Sequence, residues 1–199
     1  MTTRNFQKHT SNNRVQKYLI DNFYQVVLDC LKGIKVVKVL DVGCGEGFGL
    51  KRIKADNIGH YYEGLDNSPE AIKLGRQLNP TFKFTRGSIY QLPYQNNSFD
   101  LILCNEVLEH LTEPGKALKE IVRVGQKHYL FSVPNEPWFR IANLLRLKNL
   151  SRLGNDPEHI QNWSKKKFVN LLKKIGLKPV KVKLAFPWII VLADKDNSN

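Results

Sequence analysis

Along the chain, apolar runs alternate with stretches whose apolar residues recur every three or four positions. Val15 to Leu31 carries Val15, Leu19, Phe23, Val26, Val27 and Cys30 at helical spacing, and Gly33 follows as a stop. Val36 to Val42 reads as a buried strand that runs into a glycine-rich loop, and Tyr61 to Leu65 as a second strand. Ser68 caps a helix with Pro69 at its first position and Glu70 in its first turn, ending near Leu78 before Asn79-Pro80. Thr81 to Thr85 is a short strand, and Phe99 to Cys104 is apolar on both faces. A helix starts at Pro114 and ends near Gly125, ahead of a fifth strand, Lys127 to Val133. Pro134 to Trp163 is the least regular stretch, with a short basic helix around Phe139 to Leu147. Ser164 caps a last helix, Lys165 to Ile175, which Gly176 stops, and two strands close the chain, Lys178 to Leu184 and Trp188 to Ala193.

Strands alternating with helices imply βαβ units and an α/β fold with a mainly parallel sheet. A closing pair of strands departs from a plain doubly wound sheet. At 199 residues with no clear linker, residues 1–199 are expected to form one domain. Apolar residues make up 42% of the chain, enough for a packed core. The longest apolar run near the end, Trp188 to Ala193, is strand-sized, so no membrane span is expected. Met1 to Lys8 is polar and lacks the apolar stretch of a signal peptide. Cys30, Cys44 and Cys104 form no CxxC pair and no zinc spacing. These features point to a reduced, cytoplasmic protein.

The net charge of +13 is unevenly spread. Arg140 to Lys183 holds twelve Lys/Arg against Asp156 and Glu158, whereas eleven of the eighteen acids lie between Asp41 and Glu120. A basic back half attracts anionic partners (nucleic acid, phosphorylated metabolites or a membrane surface), and a lysine-rich face kept for solubility explains it equally well.

The chemistry concentrates at Val39-Leu-Asp-Val-Gly-Cys-Gly-Glu-Gly47, where an apolar strand meets three glycines at alternate positions. Glycines there let the backbone pass close to a ligand, and the helix that follows offers free N–H groups. Phe48 and Leu50 break a dinucleotide Gly-x-Gly-x-x-Gly in either frame, and the Gly-Lys-Ser/Thr of a P-loop is absent. Gly64-Leu-Asp66 ends the second strand nineteen residues after Gly47. A carboxylate at that strand tip can accept two hydrogen bonds from a ribose diol, although Asp66 could instead serve the helix cap at Asn67-Ser68-Pro69.

With Gly87-Ser-Ile-x-x-Leu-Pro93 and Ser98-Phe-Asp-Leu-Ile-Leu-Cys-Asn-Glu-Val-Leu-Glu-His-Leu111, these segments resemble the class I S-adenosylmethionine-dependent methyltransferases, best over residues 36 to 133. The resemblance implies a Rossmann-like seven-stranded, mostly parallel sheet with an antiparallel last strand, helices on both faces, and S-adenosyl-L-methionine as cofactor. It implies that Asp41, Gly43, Gly45 and Gly47 line the methionyl end, and that Asp66 binds the ribose hydroxyls with Leu65 and Asn67 beside it. Ser88 and Ile89 would sit at the adenine, with Ser88 standing where relatives often have Asp. Asn105 and Glu106 would face the sulfonium. Residues 1–33 would form an N-terminal helical cover and residues 134–163 a substrate-facing insertion, whose Trp138, Phe139 and Trp163 could wall a pocket. His9 and Asn12 would reach the site only if their segment folds back.

Methyl transfer is an in-line displacement that needs alignment and shielding from water, and a general base only for some nucleophiles. The base candidates are Glu106, His110 and His159. The first reading is a small-molecule methyltransferase, anionic acceptors included, with no metal. The second is an RNA 2′-O-methyltransferase: Glu106, Glu109 and His110 would share one helix face, and with His159 they resemble the Glu-x-x-Glu-His plus distant His of metal-binding small-RNA 3′-end methyltransferases. A third, non-catalytic cofactor-binding subunit is disfavoured by the intact glycine loop and Asp66. Asn105-Glu-Val-Leu in place of an Asn-Pro-Pro-Tyr motif argues against base amino-group methylation.

Overall fold

In the computed structural model, which describes residues 3–145, 153, 154, 156 and 158–196, the strands β1 (Lys38–Val42), β2 (Tyr61–Asp66), β3 (Lys83–Arg86), β4 (Phe99–Asn105), β5 (Gly125–Pro134), β6 (Leu177–Ala185) and β7 (Trp188–Lys195) form one sheet. Its order is β3-β2-β1-β4-β5-β7-β6. The first five strands pair in parallel, and β7 runs antiparallel to both β5 and β6. This is the expected Rossmann-like methyltransferase sheet. Strand order reverses between β1 and β4, and the carboxyl ends of strands at such a switch point leave a crevice for ligands.

The central strands are apolar on both faces because both faces are covered. Val39 packs into a core with Phe23, Val27, Leu50, Ile53 and Ile72 from helices α2 (Arg14–Leu31), α3 (Phe48–Ala55) and α4 (Pro69–Leu78). Its neighbour Leu40 points the other way, into a core with Leu118, Ile121, Phe168 and Leu172 from α5 (Pro114–Val124) and α7 (Lys165–Lys174). Phe131 and Phe168 are fully buried there, each worth about 1.5–3 kcal/mol of apolar transfer. Ser68 and Ser164 cap α4 and α7 by accepting from the amides of Ala71 and Lys167.

Two segments depart from the sequence reading. A six-residue helix, α1 (Arg4–His9), precedes α2; it buries no residue, so its own pattern gives no helical signal. Glu106, Glu109 and His110 do not share a helix face: Glu106 has φ +54°, and only Leu108–His110 is helical, as one 3-10 turn. The short helix after β5 spans Trp138–Leu145 (α6), and residues 146 and 147 of the expected element lie outside the described residues. Among the described residues, no helix is long and apolar enough to cross a membrane.

Candidate active site

β1 ends at Val42, and the chain turns through Gly43, Gly45 and Gly47 at φ of +76°, +54° and +83°. L side chains rarely adopt this region. A side chain on Gly43 would also collide with Val107, so the bare backbone lets the loop lie against the exit of β4. The Gly43 and Cys44 amides donate to the Leu65 carbonyl at 2.7 and 3.1 Å. Asp66 Oδ2 accepts from the Gly45 amide at 2.8 Å, and its Oδ1 from the Ser68 amide at 2.9 Å. Asp66 therefore joins loop and strand tip and also serves the helix cap.

Above this loop lies a cavity of about 620 Å³, within the usual ~300–1,000 Å³ of small-molecule sites. Asp41, Gly43, Gly45, Asp66, Asn105, Glu106, His110 and His159 line it, as do Phe139, Trp188 and residues of α1 and α2. Gly47, Leu65, Asn67, Ser88 and Ile89 lie outside its wall. Of the expected aromatics only Phe139 lines it; Trp163 is buried against Phe168, and Trp138 is exposed.

α1 folds back over the cavity. Thr3 Oγ1 and Asn5 Nδ2 donate to Glu46, Arg4 pairs with Glu158, and Lys8 Nζ meets Glu106 Oε1 at 2.7 Å. His9 stacks on Phe48 at 4.4 Å and lines the cavity, whereas Asn12 does not. Sequence reasoning missed Thr3, Asn5 and Lys8, because their roles depend on partners 41 to 98 residues away.

Burial, and then the charge of Asp66, push the Asp41 carboxyl up to about 7. Burial alone would raise Glu106, but Lys8, Trp188 and His9 bring it below the usual carboxylate range. Burial and then Glu106 hold Glu109 far above that range. His159 is lowered by burial and by His110. Asn105 Oδ1, Glu109 Oε2 and His159 Nδ1 are buried without a hydrogen-bond partner.

Glu109 and His110 reach His159 through the backbone. Ile160 and Gln161 amides donate to the Glu109 carbonyl at 2.8 and 2.9 Å, and His110 Nδ1 lies 2.9 Å from the Glu158 carbonyl. The His110 and His159 rings are 5.2 Å apart. The sheet edge thus gathers the Asp66 carboxylate, a bare peptide loop, and two imidazoles with a carboxylate beside one cavity.

Residues 40–131 match the family described as the methyltransferase domain. The matched stretch is a little under half of the 199-residue chain. Cycloartenol-C-24-methyltransferase 1 of Oryza sativa subsp. japonica is 33% identical over 135 residues, covering 60% of this chain and 38% of that protein. Norajmaline N-methyltransferase of Rauvolfia serpentina is 32% identical over 97 residues, covering 46% of this chain and 33% of that protein. The chain thus spans about a third of the length of the curated relatives it matches. Magnesium protoporphyrin IX methyltransferase from Synechocystis PCC 6803, solved with bound SAH, superposes with a TM-score of 0.71 at 18% identity, covering 95% of this chain and 91% of that one. The glycine loop, Asp66 and Asn105 all fall inside the matched residues, while α1, His159 and Trp188 lie outside them.

Proposed function

We propose that the chain transfers a methyl group from S-adenosyl-L-methionine to a small-molecule acceptor. The observation that carries this reading is the crevice in which Asp66 holds the Gly45 amide beside a loop with no side chains at three positive-φ positions. The residues fit the cofactor: a Cβ on Gly43 would close the loop against Val107, and Asn105 Oδ1 is a buried acceptor without a donor. Gly43, Gly45 and Gly47 would hold its amino-acid end with Asp41, Asp66 its ribose, Leu65 and Asn67 the flanks, and Ser88 and Ile89 its adenine. Once bound, the cofactor supplies an electrophilic methyl on a cationic sulfur.

The chain's own residues do the rest. Asp41 and Glu106 place carboxylates toward a cation. Lys8, locked to Glu106, fixes that carboxylate and ties α1 over the cavity, so residues 3–33 act as a cover that excludes water. Residues 134–163 contribute Phe139 and His159 on the acceptor side. Glu106, His110 and His159 are the catalytic candidates: burial favours the neutral His159 imidazole, which can take a proton from an oxygen or nitrogen acceptor while its lone pair is free of a cation.

The small-molecule reading is favoured over RNA by where the charge lies. Among the described residues, the cavity wall's cations other than histidine are Arg4 and Lys8, each paired with a glutamate, and no lysine of α7 or β6 lines it. Relatives named for cycloartenol and for norajmaline support the same class. The test is transfer of a labelled methyl from the cofactor into native metabolite and RNA extracts, followed by mass analysis. Label in a small molecule supports the proposal; label confined to RNA, or in nothing, overturns it.

A further inference from the structure

We propose that Glu109, His110 and His159 form a divalent-cation site of three protein ligands on the acceptor side of the cavity. Their ligand atoms all lie within 4.8 Å of one another. Around a cation bound at about 2.0–2.2 Å, such atoms stand roughly 3–3.5 Å apart, so a closure of at most about 1.3–1.8 Å completes the set. Glu109 Oε2 and His159 Nδ1 are buried and have no hydrogen-bond partner, and a cation would satisfy such lone pairs. The second element of a metal site is also present: His110 Nδ1 donates to the Glu158 carbonyl, which leaves Nε2 with its lone pair outward. The Ile160 and Gln161 amides donate to the Glu109 carbonyl, and the Gln161 side-chain Nε2 donates to the Leu111 carbonyl, holding the three ligands in register across about fifty residues of sequence.

Glu106 is outside this set because Lys8 holds its carboxylate. The site is therefore one carboxylate and two imidazoles, a donor set suited to zinc, cobalt, manganese or ferrous iron. Three protein ligands leave coordination positions open. His110 and His159 line the cavity, so the open side faces the space where an acceptor oxygen would bind. That role rests on the methyltransferase reading; the existence of the site does not.

The untagged 199-residue chain, stripped with EDTA, is titrated with Co²⁺ by visible absorption and with Zn²⁺ by equilibrium dialysis, and its thermal shift with S-adenosylhomocysteine is read on the same samples. One equivalent of metal is expected. His159→Ala and Glu109→Gln should each weaken binding at least about tenfold, and Glu106→Gln, which changes the field at Glu109 but removes no ligand, should change it by much less, with circular dichroism confirming folded variants. Absence of stoichiometric binding, or binding undiminished in both ligand variants, overturns the site; an equal loss in Glu106→Gln overturns the three-ligand set. A preserved cofactor-product shift in a chain that binds no metal would sink this inference alone, whereas metal binding without that shift would sink the methyltransferase reading alone.

Discussion

Asp66 bridges two elements at once: its Oδ2 accepts from the Gly45 amide at 2.8 Å while its Oδ1 accepts from the Ser68 amide at 2.9 Å. The ligand role and the cap role that the sequence sets against each other are therefore compatible, since the carboxylate anchors the loop before any ribose arrives. Asp66→Ala should cost about 1–3 kcal/mol of stability in urea denaturation through the lost amide bonds. It should also remove most of the thermal stabilisation by S-adenosylhomocysteine, which for a ligand at a hundred times its Kd is worth about 2.7 kcal/mol. An undiminished shift in the variant would remove Asp66 from the ribose.

Asp41 gives the site a pH dependence. Its folded pKa of about 7 stands above its ordinary value of 3.8 because of burial and then Asp66. Between these values the folded state binds more protons than the unfolded state, so stability is full below about pH 4 and falls as pH rises toward 7, by at most about 4 kcal/mol. Ionised Asp41 favours a cationic ligand. Donor affinity should accordingly rise as pH passes from 6 to 8, and calorimetric titration should find that rise flattened in Asp41→Asn.

The turn at Gly43 leaves no room for a side chain. A Cβ there would overlap Val107, and its φ of +76° adds strain for any L side chain. Gly43→Ala should destabilise the fold by about 2–4 kcal/mol, combining overpacking with left-handed backbone cost. Val107→Ala in the same chain should recover the overpacking part only. Additive losses in a double-mutant cycle would show that the contact is not the cause.

The sheet and its helices were legible because each depends on local signals: apolar runs for β1 and β4, Ser68 and Ser164 as caps, Gly176 as a stop. The glycine loop and Asp66 were legible because one strand tip carries each motif. α1 was not, since its six residues bury nothing and are held by Glu46, Glu106 and Glu158. The helix face expected for Glu106, Glu109 and His110 failed for a related reason. The chain leaves β4 through a positive-φ Glu106, which tertiary contacts to Lys8 and the Ser132 carbonyl stabilise and periodicity cannot reveal.

The pairing of Lys8 with Glu106 and of Arg4 with Glu158 leads to a kinetic expectation. Cations already neutralised at a cavity wall contribute little long-range field, so a neutral small acceptor should bind with little salt dependence. Raising salt from 50 to 300 mM should change kcat/KM for such an acceptor by less than about threefold. A nucleic acid engaging several lysines would lose affinity by orders of magnitude over a similar range. Lys8→Ala separates cover from charge: it should raise KM for the donor severalfold by loosening α1, with the salt profile unaltered. A steep salt profile in the unsubstituted chain would move the acceptor from the cavity to the lysine-rich face of α7 and β6.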